Sequence, residues 1–99
     1  MAAMSDFELT ERGDGHFELK GEMSFNTAEQ ILRASEKLFQ RRTRIGIDLS
    51  AVTRTDSAGL ALLLEWIGRA HQSGSEISFS TVPEKLRAIA ETADVQQLL

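Results

Sequence analysis

Apolar residues near the start of the chain fall on every second position. Phe7 and Leu9 alternate with Glu8 and Thr10, then Phe17 and Leu19 alternate with Glu18 and Lys20. The two runs flank Arg12-Gly13-Asp14-Gly15, a turn-forming segment, so they predict a hairpin. Gly21 to Phe25 bridges to Asn26-Thr27-Ala28-Glu29, an order in which the Asn26 side chain and the Glu29 carboxylate are expected to cap opposing backbone amides. From there the period changes. Ala28, Ile31, Leu32, Leu38 and Phe39, with Ser35 between them, keep the three-and-four spacing of one buried helical stripe as far as Gln40.

Alternation returns at Ile45, Ile47 and Leu49, set against Gly46, Asp48 and Ser50, and a turn is expected over Ala51 to Asp56. Ser57 to Gln72 is helical in pattern and stops at Ser73-Gly74, where glycine can close the helix in the left-handed conformation. Ile77 and Phe79 form a last strand, and Pro83 opens a helix carrying Leu86, Ile89, Ala90 and Ala93 on one side. Val95, Leu98 and Leu99 are expected to pack its end down. All four strands are apolar on one face only, whereas a doubly wound sheet needs nearly continuous apolar strands. The expectation is an α/β fold: a single domain over 1–99 with a mixed four-stranded sheet, order β-β-α-β-α-β-α, and helices mainly on one face.

The segment Thr55-Asp56-Ser57-Ala58-Gly59-Leu60 joins the third strand to the second helix, where open α/β sheets commonly hold binding sites. Asp56 or Ser57 can cap the helix, and Gly59 allows another backbone to come close. A capped helix start is the plain structural explanation. The functional one is that Ser57 offers its hydroxyl at an exposed helix N-terminus, which tolerates an added anion. Phosphorylation there would add about −1.5 to −2 charge and reverse a close contact. At 100° per residue, Leu60, Leu63, Leu64 and Ile67 face the sheet, while Leu62 falls on the opposite side near Ala58, Glu65 and Arg69. An exposed patch of Ala58, Leu62, Trp66 and Arg69 beside Ser57 would carry the aromatic, aliphatic and arginine mixture of interface hot spots.

Composition narrows the classes. A formal charge of −4 and a pI near 5.1 argue against a nucleic-acid binder, which needs a basic stripe. With no cysteine and only His16 and His71, neither a thiolate metal site nor a histidine ligand set is available, and no cofactor is expected. The opening MAAMSDFELTERGDG has no secretory pattern, and the longest apolar run, Leu60 to Leu64, is far short of the roughly 20 residues that cross a bilayer. A cytoplasmic location is expected, with any membrane link indirect. Asp48 and Asp56 read as a strand-end aspartate and a helix-cap aspartate, so no catalytic pair is assigned. Arg41, Arg42 and Arg44 follow a helix C-terminus, where cations are ordinary.

Three stretches together resemble the STAS domain family: Leu19-Lys20-Gly21-Glu22-Met23, Ile47-Asp48-Leu49-Ser50 and Thr55-Asp56-Ser57-Ala58-Gly59-Leu60. The resemblance implies that Ser57 matches the residue phosphorylated in the sigma-regulating members. Ala58 departs from the serine or glycine of many members. Asp48 through Leu64 is most similar to the small STAS subunit of the Mla phospholipid-transport ABC complex. That likeness implies a non-enzymatic protein held at the inner face of the inner membrane by binding the transporter's ATPase. Its expected partner-binding residues are Thr55, Asp56, Ser57, Ala58, Gly59, Leu62, Trp66 and Arg69. The alternative it implies is an anti-sigma factor antagonist, switched between partners by an anti-sigma factor kinase acting on Ser57.

Overall fold

The computed structural model describes residues 6–99. Met1 to Ser5, and with them part of the expected leaderless start and the first residues of the expected domain, lie outside the described residues. The elements are β1 (Phe7–Gly13), β2 (His16–Met23), α1 (Ala28–Leu38), β3 (Arg44–Thr55), α2 (Ser57–Ser73), β4 (Glu76–Ser80) and α3 (Glu84–Thr92), closed by a short 3₁₀ turn at Gln96–Leu98. The sheet order is β1-β2-β3-β4, with β1 antiparallel to β2 and the remaining pairs parallel.

This topology dictates where the helices lie. Both parallel crossovers step the same way across the sheet, and right-handed crossovers that advance in one direction place α1 and α2 on one face. Phe17, Leu19, Met23, Ile45, Ile47 and Leu49 are buried beneath them, while Lys20, Ser50, Ser78 and Ser80 are exposed on the other face. Removing one such Leu or Ile side chain from water contributes about 1.5–3 kcal/mol. The helix α2 is the middle of the helical layer, touching α1 on one flank and α3 on the other.

Three expectations are corrected. The strand β3 does not end before Ala51 but runs to Thr55. Glu18 pairs with Asp48 but Lys20 with Ala51, and Gly21 pairs with Val52 but Glu22 with Arg54, so β3 twice inserts an extra residue against β2. Each bulge moves the inward position by one, from Leu49 to Val52 and then to Thr55. The lost alternation imitates a turn.

The capping box at Asn26 and Glu29 does not form either. Thr27 holds the N-cap position of α1 but bonds no first-turn amide; its hydroxyl turns back to the loop, accepting from Ser24 N at 3.0 Å and donating to the Glu22 carbonyl at 3.0 Å. Glu29 instead pairs with Arg33 one turn on. At the C-terminus, Val95 and Leu99 pack on the core but Leu98 is half exposed.

Candidate functional site

The chain leaves β3 with Thr55 pointing inward and enters α2 one residue later. Asp56, in extended conformation, is the N-cap: its Oδ1 accepts from Ala58 N at 2.9 Å, satisfying a first-turn amide that the helix itself cannot. Ser57 is the first helical residue and is exposed. Gly59 has no room for a side chain, since a Cβ there would lie 2.3 Å from Thr55 Oγ1 and 2.7 Å from the Met23 carbonyl oxygen. The first turn of α2 therefore sits directly on the ends of β2 and β3, and Ser57 is presented from a backbone tied at both sides.

The second carboxylate oxygen of Asp56 reaches further. Oδ2 accepts from Phe25 N at 3.2 Å, joining the β2–α1 loop to the start of α2. Around that loop, Asn26 Nδ2 donates to Glu22 Oε2 at 3.3 Å and Asn26 N to Ser24 Oγ at 3.3 Å, while the Ser24 hydroxyl donates to the same Glu22 oxygen. The Phe25 side chain is left 84% exposed. Sequence reasoning passed over Phe25 because it continues the inward phase of Phe17, Leu19 and Met23. The strand stops at Met23, and the next residue to be buried is Ser24. The signal that marks it is a polar Ser-x-Asn-Thr sequence around an aromatic residue, which favours a side-chain-bonded turn over a continuing strand.

The exposed patch expected along α2 does not exist. Leu62 is 3% exposed and Trp66 2%. A helical wheel assigned one buried side to a helix that has three, because α1 covers the flank carrying Leu62 and Trp66. Trp66 Nε1 donates to Ser35 Oγ at 2.9 Å, and Ser35 Oγ donates on to the Leu32 carbonyl at 2.7 Å. The Trp66 ring lies 5.5 Å from that of Phe39 and 6.4 Å from that of Phe79. Arg69 is exposed, but it binds Glu65 one turn back on α2 and Glu36 across the α1–α2 seam, each at 2.9 Å. Hydrogen bonding to Glu65 first, and then to Glu36, raises its pKa above the ordinary value. Twelve residues of helix separate it from Ser57, about 18 Å along the axis.

The structure thus brings together Asp56, Ser57 and Ala58 at the surface, with Thr55 and Gly59 buried directly behind them. It sets Leu62, Trp66 and Arg69 apart as the seam with α1. Asp48 is occupied locally, accepting from Ser50 N at 2.9 Å. Among the described residues, no group of three or more His, Asp or Glu side chains is placed to hold a metal ion. No helix among them is long and apolar enough to cross a membrane. Arg42 pairs with Glu11, and Arg44 lies 4.0 Å from Glu76.

Comparison with known proteins agrees with this architecture. Solved structures similar to the chain include the anti-sigma factor antagonist SpoIIAA in its unphosphorylated form, with TM-score 0.69 and 19% identity over 92% of this chain and 83% of that one. The phosphorylated form, from Bacillus, gives TM-score 0.68 and 19% identity over 92% and 86%. A sulfate transporter family protein from Wolinella succinogenes gives TM-score 0.66 and 18% identity over 85% and 69%. At these identities the likeness is one of fold. No curated protein sequence matches the chain. The family model described as "Mlab, STAS domain" matches residues 9–99, nearly the whole length, and the chain therefore belongs to that family of STAS domains.

Proposed function

We propose that the chain is a non-catalytic accessory subunit of a phospholipid-transport ABC complex of the Mla type. It binds the cytoplasmic ATPase through the N-terminal end of α2 and supports that enzyme's assembly or activity, at the inner face of the inner membrane. The observation that carries this reading is the exposed Ser57 hydroxyl on a helix start held by Asp56 and by the close packing of Gly59. A rigid, solvent-facing helix end loses little freedom on association, which favours docking. Membership in the Mlab, STAS domain family, and the resemblance of Asp48 through Leu64 to the small STAS subunit, support the ATPase as the partner.

The test is copurification of the chain with the ATPase of the same transporter. The wild-type chain is expected to be retained. Ser57→Arg is expected to melt within about 0.5 kcal/mol of wild type, as surface substitutions do, yet to lose at least about tenfold in affinity, equivalent to 1.4 kcal/mol. Retention of Ser57→Arg at wild-type level would remove this end of α2 from the interface.

The same exposed serine supports a second reading, an anti-sigma factor antagonist released or engaged by phosphorylation of Ser57. The overall likeness to SpoIIAA favours it in fold only. Neighbouring genes decide between the two: a serine kinase favours partner switching, and a permease with an ATPase favours the transporter.

A further inference from the structure

Phe25 occupies an unusual place for the largest kind of apolar side chain. Of the aromatic residues, Phe17 and Trp66 are buried and Phe7, Phe39 and Phe79 are half-buried against the core, whereas Phe25 stands 84% in water. It is not on a loose segment. Its own N–H is bonded to Asp56, the following residue is tied to Ser24 and Glu22, and Thr27 behind it is fully buried. The Asp56 carboxylate that caps α2 below Ser57 is thus the group that fixes the Phe25 backbone beside it.

From this juxtaposition we infer that Phe25 is the aromatic anchor of the Ser57 docking surface, and that it seats in an apolar socket of the ATPase rimmed by basic side chains. The inference rests on the ATPase-docking reading above. An aromatic ring buries about 150–250 Å² when covered. Fixed on a tied loop it adds that area at little entropic cost, the property that makes such residues interface hot spots.

The chemistry of the socket follows from the rim. Asp6, Glu22 and Asp56 stand around this end of the sheet with no cation paired to any of them among the described residues, and Glu22 N is bonded to the Asp6 carbonyl at 2.8 Å. Arg54, opposite Glu22 in the strand register, and Lys20, which lines the same recess as Asp6, offset two of these three charges. Glu29 is balanced by Arg33. The surroundings of Phe25 are net acidic, which complements a basic rim and is repelled by an anionic lipid surface. A protein socket is therefore favoured over a bilayer.

The experiment is a titration of the full chain with the purified ATPase, run beside sedimentation with vesicles of phosphatidylglycerol and phosphatidylethanolamine. Phe25→Ser is expected to weaken ATPase binding about 30-fold, the effect of truncating a hot spot, with unchanged melting. Phe25→Leu should fall between the two. If Phe25→Ser binds like wild type while Ser57→Arg does not, the anchor assignment fails and the docking reading stands. If the wild-type chain does not bind the ATPase at all, the docking reading fails and the assignment with it. Loss of vesicle binding in Phe25→Ser, with ATPase binding intact, would overturn the assignment in favour of lipid.

Discussion

Phe25 and Trp66 are both aromatic, both bonded to the surroundings of α2, and differ in exposure by 84% against 2%. Side-chain character does not separate them; the covering elements do. Trp66 lies where α1 rests on the flank of α2, and Ser35 supplies an acceptor for its indole N–H, so both its apolar body and its polar edge are accommodated. At the other end of α2 the β2–α1 loop carries Phe25 past the end of strand β2, where the described residues leave it uncovered. The seam is thus a place of internal packing, and the helix start is the place where the chain keeps apolar surface and a free hydroxyl in water.

That contrast breaks most sharply at Trp66. Trp66→Ala removes a buried indole between Phe39 and Phe79 and is expected to cost about 3–5 kcal/mol, a large part of a small domain's stability. Urea unfolding followed by circular dichroism measures it. A loss below about 1 kcal/mol would mean that the seam is not the packed core described here. Ser35→Ala is the milder probe. It leaves the Trp66 N–H buried without its acceptor, and is expected to cost about 1–3 kcal/mol, with a shifted emission from the chain's single tryptophan.

Both of these residues show what a sequence can and cannot reveal. The hairpin, the order of strands and helices, and the Thr55-Asp56-Ser57 connection were legible because alternation, helical spacing and cap residues are local signals. The one-sided helical layer followed from polar residues such as Lys20, Ser78 and Ser80 on alternate strand positions. Leu62 and Trp66 were misplaced because a wheel contains no neighbour: only the crossover topology lays α1 against that flank. The end of β3 was missed because two bulges reset its phase between Leu49 and Thr55. Phe25 was overlooked for the converse reason, since it keeps strand phase after the strand has stopped.

The smallest expected effect tests the link between the two loops at the exposed end. Asp56 makes two separable bonds, Oδ1 from Ala58 N and Oδ2 from Phe25 N. Asp56→Ala removes both and is expected to destabilise by about 1 kcal/mol, the usual loss of an N-cap. Asp56→Asn is a discriminating partner to it. Its carbonyl oxygen caps α2 as well as aspartate does, but the amide nitrogen that replaces the other oxygen donates and cannot accept from Phe25. The asparagine variant should therefore keep most of the stability while the Phe25 amide exchanges faster with solvent than in wild type. Hydrogen exchange read by NMR resolves that single amide. Protection of Phe25 that survives in Asp56→Asn would show that Ser24, Asn26 and Glu22 hold the loop by themselves, and that Phe25 is positioned independently of the helix that presents Ser57.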